Sequence, residues 1–321
     1  MNSPLVSVNI LAYNHALFIR QCLDGVLMQK ISFPFEVLIH DDASTDGTAD
    51  IIREYEARYP DIIKAVYQTE NQFSKGVCVE RKYLFANSLG KYIALCEGDD
   101  YWTDPLKLQK QIDFLESHPD YTICGGRYWV MEDGKPELFE REWMIRGMAK
   151  YPEGRTVTLH EIFDEYMLWI LTVCFRKDSM DGVDQFKHFK DDSLYAVILD
   201  HGKGFVFPDY FGVYRLHSGG MWAGKTIRER LQQNEIYMTE LYSYYGKKCK
   251  SLRRSYYRTI IGLRFFELTE SKHLLSDYLK MVRFTFSGSW DTFFYRMIYF
   301  IKMSWAYAMA YVGKSKTKNK K

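Results

Sequence analysis

Residues 91–102 read KYIALCEGDDYW, an apolar run that turns abruptly acidic. The run predicts a buried β-strand, and three carboxylates, Glu97, Asp99 and Asp100, follow it directly. Crowded carboxylates raise one another's pKa by like-charge repulsion, which a divalent cation relieves. Oxygen ligands of this kind suit Mg²⁺ or Mn²⁺ held together with substrate phosphates. The segment therefore predicts a metal site for a phosphorylated substrate, although a solvated acidic turn ahead of a helix would show the same residues.

Strand and helix patterns alternate on both sides of this segment. Residues 48–59 have helical periodicity, and Asp104-Pro105 is a favoured helix start. Predicted strands cover residues 5–11, 35–40, 62–67, 91–96 and 121–124, and predicted helices cover 16–28, 48–59 and 79–88. Repeated units of this length predict an α/β fold, with an open and mostly parallel sheet that has helices on both faces.

Polar clusters follow three of the predicted strands. Tyr13-Asn14 follow the first strand, Asp41-Asp42 the second and Glu97–Asp100 the fourth. Open α/β sheets bind ligands at the carboxyl ends of their strands. We therefore expect the three clusters to line one cleft.

The composition is that of an ordinary globular chain. The 321 residues are 47% hydrophobic and 26% charged, and the formal net charge of +2 argues against a dedicated nucleic-acid binder. The six cysteines show no metal or redox spacing, which favours reduced thiols and a cytoplasmic setting. We find no leader pattern and no run of about 18 apolar residues, so we expect neither a signal peptide nor a membrane span.

The sequence pattern changes after the first 130 residues. Residues 131–157 are irregular, with several glycines and prolines, and predict a long loop over the cleft. Residues 158–217 return to mixed strands and helices, whereas 227–245 and 252–268 are predicted as long helices. We expect a first domain at residues 1–222 and a helical C-terminal region with a basic tail at 223–321.

Three blocks, at residues 6–14, 41–48 and 97–100, resemble the signature blocks of family 2 glycosyltransferases in residue type, order and spacing. The resemblance covers residues 4–222 and implies a GT-A fold. It also implies an inverting, metal-dependent enzyme that moves a sugar from a nucleotide-diphosphate donor, with UDP as the expected carrier. The expected acceptor is a glycan or a lipid-linked oligosaccharide of bacterial surface-polysaccharide biosynthesis, such as lipopolysaccharide or capsule. Residues 1–130 would bind the nucleotide sugar, and 131–222 would form the acceptor and catalytic half.

The resemblance assigns roles to the matching positions. Asp99 is the expected metal ligand and His217 a second one, while Glu97 stands where the family has the first Asp of its metal motif. Tyr13 is placed near the base, and Asp42 contacts the base or ribose with Asp41 in support. Donor binding is expected from Ala12, Tyr13, Asn14, Asp41, Asp42, Asn71, Lys75, Arg81, Glu97, Gly98, Asp100 and Arg215.

The general base is expected in the block at residues 191–202. Inverting transfer needs a group that takes the proton of the acceptor hydroxyl, and a carboxylate is the common choice. Counting back from His201-Gly202 aligns Asp191 with the family's base and Asp192 with its neighbour, and the choice between the two stays open. A helix start with two favourably placed acids is the structural alternative. Trp102 and Trp222 are expected to line or cover the acceptor side.

The C-terminal end combines an aromatic, apolar stretch at 290–312 with five lysines in the last eight residues. This pattern suits an anionic membrane surface, which would place the protein on the inner face of the cell membrane. A helix that packs on the rest of the protein, followed by a solubilising tail, is the alternative.

Two other functions compete with transfer. A non-catalytic module that binds nucleotide sugars or glycans would not need acids at both the metal and the base blocks. A nucleotidyltransferase would need a glycine-rich, basic loop after the first strand, where this chain has Ala12–His15.

Overall fold

A computed structural model gives the structure of this chain. It describes residues 3–133, 135, 137–165, 167–221 and 223–270, together with scattered residues between 276 and 308. Trp222 and most of residues 290–321 therefore lie outside the described residues. The chain divides into two compact units, Met1–Ala223 and Gly224–Lys321.

The strands of the described residues form one mixed sheet in the first unit. They are β1 (Val6–Ala12), β2 (Phe35–Asp41), β3 (Ile63–Tyr67), β4 (Tyr92–Glu97), β5 (Tyr101–Trp102), β6 (Tyr121–Glu132), β7 (Leu138–Phe139), β8 (Arg155–Val157), β9 (Cys174–Arg176) and β10 (Lys203–Leu216). Their order is β3-β2-β1-β4-β9-β6-β10-β5, while β7 pairs with β6 and β8 pairs with β10.

The N-terminal half of the sheet, β3-β2-β1-β4, is parallel throughout. Ala12 of β1 is level with Asp41 of β2, and Leu11 is level with Glu97 of β4. The carboxyl ends of these strands therefore lie side by side. The prediction of an open α/β sheet is confirmed, although β9 introduces antiparallel pairing with both β4 and β6.

The α-helices have apolar faces that pack in the interior. In the first of them, the side chains of Ile19, Cys22, Leu23 and Val26 are buried. The helices are α1 (Ile19–Leu27), α2 (Thr48–Arg58), α3 (Lys107–Ser117), α4 (Glu142–Met148), α5 (Asp191–Asp200), α6 (Ile227–Tyr245) and α7 (Lys250–Glu270).

The segment predicted as a helix at 79–88 is a π-type turn, Glu80–Leu84, followed by a 3₁₀ turn, Phe85–Asn87. Val79 and Leu84 are both buried. Their spacing of five residues fits the i→i+5 hydrogen bond of a π turn and not the α-helical period. Turns of this kind are frequent at functional sites.

Residues 131–157 are more regular than the predicted loop, because they contain β7, α4 and β8. The carboxylate of Glu140 accepts two hydrogen bonds from Arg127, at 2.7 and 2.6 Å. Met144 and Met148 of α4 are buried. These contacts hold the segment against β6.

Lys107 lies wholly inside the first unit. Its Nζ donates to Gln111 Oε1 at 2.8 Å and lies 3.9 Å from the centre of the Trp102 ring. Burial lowers the pKa of Lys107 to about 8. Trp102 is only 1% exposed, and its Nε1 donates to the carbonyl of Leu171 at 2.7 Å. This burial corrects the expected place of Trp102 on the acceptor side, since its ring belongs to the core.

We expect Lys107 to make the stability of the protein depend on pH. The pKa of Lys107 falls from 10.5 to about 8 on folding, so between these values the unfolded chain binds a proton that the native chain lacks. The free energy of unfolding of the wild type, relative to Lys107→Met, should therefore rise by about 3 kcal/mol between pH 8 and 10.5. Urea denaturation across this range measures the difference. Lys150→Met, at an exposed lysine, should keep the wild-type profile, and parallel profiles for wild type and Lys107→Met would contradict the assignment.

The second unit contains α6 and α7. A capping box begins α6, with the side chain of Thr226 bonded to the backbone of Glu229 and the side chain of Glu229 bonded back. The Tyr242 and Tyr256 rings of the two helices stack at 4.3 Å. Among the described residues, no helix combines the length and apolarity that crossing a bilayer requires.

Candidate active site

The acids that follow β4 form a tight cluster. One carboxylate oxygen from each of Glu97, Asp99 and Asp100 lies within 4.8 Å of the others. Burial, reinforced by the charge of Asp99, raises the pKa of Glu97 and of Asp100 well above the ordinary range. Buried carboxylates that repel one another are stabilised by a divalent cation, and their oxygens are hard ligands. The cluster therefore fits Mg²⁺ or Mn²⁺.

Two histidines face Asp99. His217 Nε2 lies 3.0 Å and His15 Nε2 lies 3.7 Å from Asp99 Oδ2. Burial acts to raise the pKa of Asp99, but the hydrogen bond with His217 and the charges of both histidines lower it below its ordinary value. The structure thus brings together Asp99 and His217, the two expected ligands. His15 is a residue that the sequence analysis missed, although it directly follows the Tyr13-Asn14 pair.

Gly98 lets the acidic turn approach the end of β1. Its N–H donates to the carbonyl of Leu11 at 2.9 Å. A Cβ at this position would lie 2.9 Å from His15 Nδ1 and 3.1 Å from the Leu11 oxygen, which is closer than side chains pack. A glycine between the acids therefore allows them to converge beside His15.

Arg215 holds the acidic turn in place. Its backbone N–H donates to Asp100 Oδ1 at 2.8 Å, and its guanidinium donates to the carbonyl of Asp99 and to the side chain of Gln21. The guanidinium also lies 4.4 Å from the centre of the Tyr101 ring. The sequence predicts Arg215 among the donor-binding residues, and these bonds show that it also positions Asp99 and Asp100.

The loops after β1 and β2 are joined by hydrogen bonds. The Asn14 N–H donates to Ser44 Oγ and the Thr45 N–H donates to Asn14 Oδ1, both at 2.9 Å. The Ala16 N–H donates to Asp46 Oδ2 at 2.9 Å. Asn14 adopts a left-handed backbone with φ of 56°, a conformation that asparagine tolerates better than most residues.

Asp41 and Asp42 make different hydrogen bonds at the end of β2. The Asp42 carboxylate accepts the N–H groups of Gln72 and Phe73 at 2.8 and 3.0 Å, so it organises the loop after β3. Asp41 Oδ2 accepts the N–H of Ser44 at 3.3 Å, whereas its buried Oδ1 has no hydrogen-bond partner among the described residues. Asp41 is therefore the acid with an oxygen available for a ligand. Ala12 lies directly before this edge, and Tyr13 is 45% exposed on it.

The three polar residues that follow β3 make contacts within and between loops. Asn71 Oδ1 accepts the N–H of Ser74 at 2.7 Å, which closes a turn. Lys75 pairs with Glu70 at the surface. Arg81 donates to the carbonyl of Val183 at 3.1 Å and lies 5.4 Å from the centre of the Phe189 ring. The contacts of Arg81 connect the π turn to the segment before α5. Donor binding by Asn71, Lys75 and Arg81 stays a prediction.

The two acids that begin α5 face different partners. Asp191 adds to the rise in the pKa of Glu97 and Glu80, so its carboxylate lies within electrostatic reach of the acid cluster. Burial raises the pKa of Asp192, and Lys190 Nζ lies 3.6 Å from its Oδ2. Of the two acids, Asp191 is the one whose charge acts on Glu97 of the cluster. The charge of Glu80, in the π turn, also raises the pKa of Glu97. The sequence analysis missed Glu80, because it predicted residues 79–88 as a regular helix.

Comparison with known proteins identifies the family of this chain. Residues 7–168 match the family described as glycosyl transferase family 2. The uncharacterized protein Rv1520 of Mycobacterium tuberculosis is 35% identical over 68% of this chain, and the match spans 60% of that protein's own length. The Escherichia coli protein WfaP, named as a UDP-Glc:alpha-D-GlcNAc-diphosphoundecaprenol beta-1,3-glucosyltransferase, is 26% identical over 72% of this chain and 85% of its own.

Two solved structures share the fold. Staphylococcus aureus TarS 1-349 with UDP-GlcNAc has a TM-score of 0.57 at 16% identity, covering 95% of this chain and 81% of its own. The mannosyltransferase PcManGT of Pyrobaculum calidifontis, with GDP-Man and Mn²⁺, has a TM-score of 0.55 at 16% identity. The match covers 95% of this chain and 88% of PcManGT. The fold is thus that of GT-A glycosyltransferases, and because the family match covers half of the chain, the protein belongs to glycosyl transferase family 2.

Proposed function

We propose that this protein is an inverting glycosyltransferase that moves a sugar from a UDP-sugar to a lipid-linked glycan acceptor in surface-polysaccharide biosynthesis. The observation that carries the proposal is the tight cluster of Glu97, Asp99 and Asp100, with Asp191 near enough for its charge to raise the pKa of Glu97. Family membership supports the reaction class. The name of WfaP supports the donor and the kind of acceptor, because that protein is described as acting on UDP-Glc and a lipid diphosphate.

The donor would lie along the carboxyl ends of β1, β2 and β4. Asp41 Oδ1 would accept an N–H of the base, on a rim formed by Ala12, Tyr13 and Asn14. Asp99 and His217 would hold Mg²⁺ or Mn²⁺, with Glu97 close by. The cation supplies positive charge that stabilises the departing diphosphate.

Asp191 would perform the proton transfer. It would take the proton of the acceptor hydroxyl while that oxygen attacks the anomeric carbon from the face opposite the diphosphate. The bond from the anomeric carbon to the diphosphate oxygen breaks as the new C–O bond forms, so the configuration inverts. Arg215 would keep Asp99 and Asp100 in place during the displacement.

A donor screen tests this proposal. Ligands that bind the native state raise its apparent stability, so UDP-sugars with Mn²⁺ should raise the melting temperature, while GDP-sugars should not. The stabilising donor should also be hydrolysed slowly to UDP and free sugar, and EDTA should remove both effects. Stabilisation without hydrolysis or transfer would favour a non-catalytic binding module, and stabilisation by GDP-sugars alone would overturn the UDP assignment.

Attachment to an anionic membrane surface through residues 290–321 belongs to the proposal as well. It rests on the aromatic and lysine-rich sequence of this segment, most of which lies outside the described residues. Lipid-linked acceptors are presented at such a surface, which is why the two proposals fit together.

A further inference from the structure

Four aromatic side chains form a connected cluster beside the acids, which we call the aromatic shelf: Tyr128, Trp143, Trp169 and Tyr214. The Trp169 ring centre lies 5.0 Å from that of Tyr128, with which it stacks, and 5.3 Å from that of Tyr214. Trp143 of α4 continues the cluster at 6.3 Å from Trp169. The shelf thus runs from the centre of the sheet out to α4.

One end of the shelf reaches the acid cluster. Burial raises the pKa of Tyr214, and the negative charges of Glu97, Asp100 and Asp99 raise it further. Val213 of β10 pairs antiparallel with Tyr101, and the Arg215 N–H donates to Asp100 Oδ1 at 2.8 Å, so Tyr214 between them lies beside the acidic turn. A molecule lying on the shelf would therefore have one edge beside the cluster that we assign to the donor diphosphate.

The other end of the shelf is open. Trp143 is 39% exposed, and Trp169 and Tyr214 are half-buried, whereas Tyr128 beneath them is fully buried. Burying a large aromatic side chain contributes to stability, so partly exposed rings in a row carry a cost that a bound partner removes. The graded exposure distinguishes this cluster from a closed core.

The ring faces have the chemistry to recognise a sugar. A pyranose presents a face of C–H groups that packs on an aromatic ring, and its hydroxyls at the edge remain free for polar groups. Aromatic walls with a few convergent polar groups are typical of small-molecule sites. In this protein the polar groups are the carboxylates of Glu97, Asp99 and Asp100, next to Tyr214 at one end of the shelf.

We propose that the aromatic shelf is the acceptor subsite, on which the acceptor sugar packs against Trp143 and Trp169 with its reactive edge toward the acids. This inference rests on the proposed function and adds the site and the class of its occupant, a pyranose ring. The regular structure of residues 138–148 supports it, because α4 holds Trp143 in a fixed position that a loose loop would not provide.

Binding of a simple sugar probe tests the inference without requiring transfer. The probe is methyl N-acetyl-α-D-glucosaminide, titrated by saturation-transfer-difference NMR into the full chain with UDP and Mg²⁺. We expect binding to the wild type, with the strongest saturation on the C–H protons of one sugar face. Trp143→Ala should weaken this binding about tenfold, and Trp143→Phe should restore it to within about threefold of the wild type.

A neighbouring residue provides the control. Ile145, also on α4, is 46% exposed, and Ile145→Ala should bind the probe like the wild type. Absence of probe binding to the wild type, or equal binding by Trp143→Ala, would overturn the shelf as acceptor subsite. Hydrolysis of UDP-sugars by the wild type decides the proposed function separately, since it requires no acceptor sugar.

Discussion

Asp99→Ala is expected to abolish sugar transfer and to leave the fold intact. The variant removes the carboxylate that His217 and His15 face, and with it the centre of the proposed metal site. Loss of a group that stabilises leaving-group charge lowers kcat by about three orders of magnitude. Asp99 also repels Glu97 and Asp100, so its removal relieves one unfavourable interaction and offsets the lost bond to His217. Initial rates with Mn²⁺ and thermal unfolding measure the two effects.

A surface acid serves as the matched control for this variant. Asp120 lies in the same unit, is more than half exposed and pairs with Lys203 at 2.9 Å. Asp120→Ala should retain wild-type turnover. Turnover at the wild-type rate by Asp99→Ala would remove the metal assignment, and a collapsed fold in that variant would show that Asp99 is structural.

Asp191→Asn is expected to bind the donor like the wild type and to lose transfer. The amide has the shape of the carboxylate but cannot accept the proton of the acceptor hydroxyl. Loss of a general base costs about 10²–10⁴-fold in rate. Asp191 begins α5, outside the loops proposed to bind the nucleotide, so the rise in melting temperature with UDP and Mn²⁺ should persist.

Asp192→Asn is the matched control for Asp191→Asn, because it makes the same chemical change at the next residue. Asp192 lies beside Lys190, so this variant should keep most of its transfer activity. The opposite outcome, with activity lost in Asp192→Asn and kept in Asp191→Asn, would move the base by one position. Loss of UDP binding in Asp191→Asn would instead make that acid part of the donor site.

The sheet and its polar edge are predictable from the sequence for a physical reason. Buried parallel strands are continuous apolar runs, and their carboxyl ends lie at one edge, so residues such as Asp41 and Glu97 are brought level by topology alone. The π turn at Glu80–Leu84 is not predictable from residue types, because it differs from an α-helix in the spacing of its backbone hydrogen bonds and not in composition. Residues 131–157 were predicted as a loop because glycines and prolines mask a two-turn helix and two short strands.

Within the site, residue types alone do not show which polar atoms are already satisfied. Asp41 and Asp42 are adjacent and chemically identical, and only the backbone N–H groups of Gln72 and Phe73 reveal that Asp42 is occupied. The bonds of Arg215 to Asp99 and Gln21 are likewise seen only in the structure. Such assignments depend on loops that are distant in sequence, which no local pattern encodes.

The hydrogen bonds between the loops after β1 and β2 have a consequence for how a nucleotide enters the cleft. Because Asn14, Ser44 and Thr45 are already locked together, the conformational entropy of ordering this rim is lost during folding and not during association. A nucleoside would meet a rigid surface, and little of its contact energy would be diverted into ordering the loops. The part of the site that binds the nucleoside would thus be preformed. It would hold the donor in place before the sugar and the acceptor are aligned.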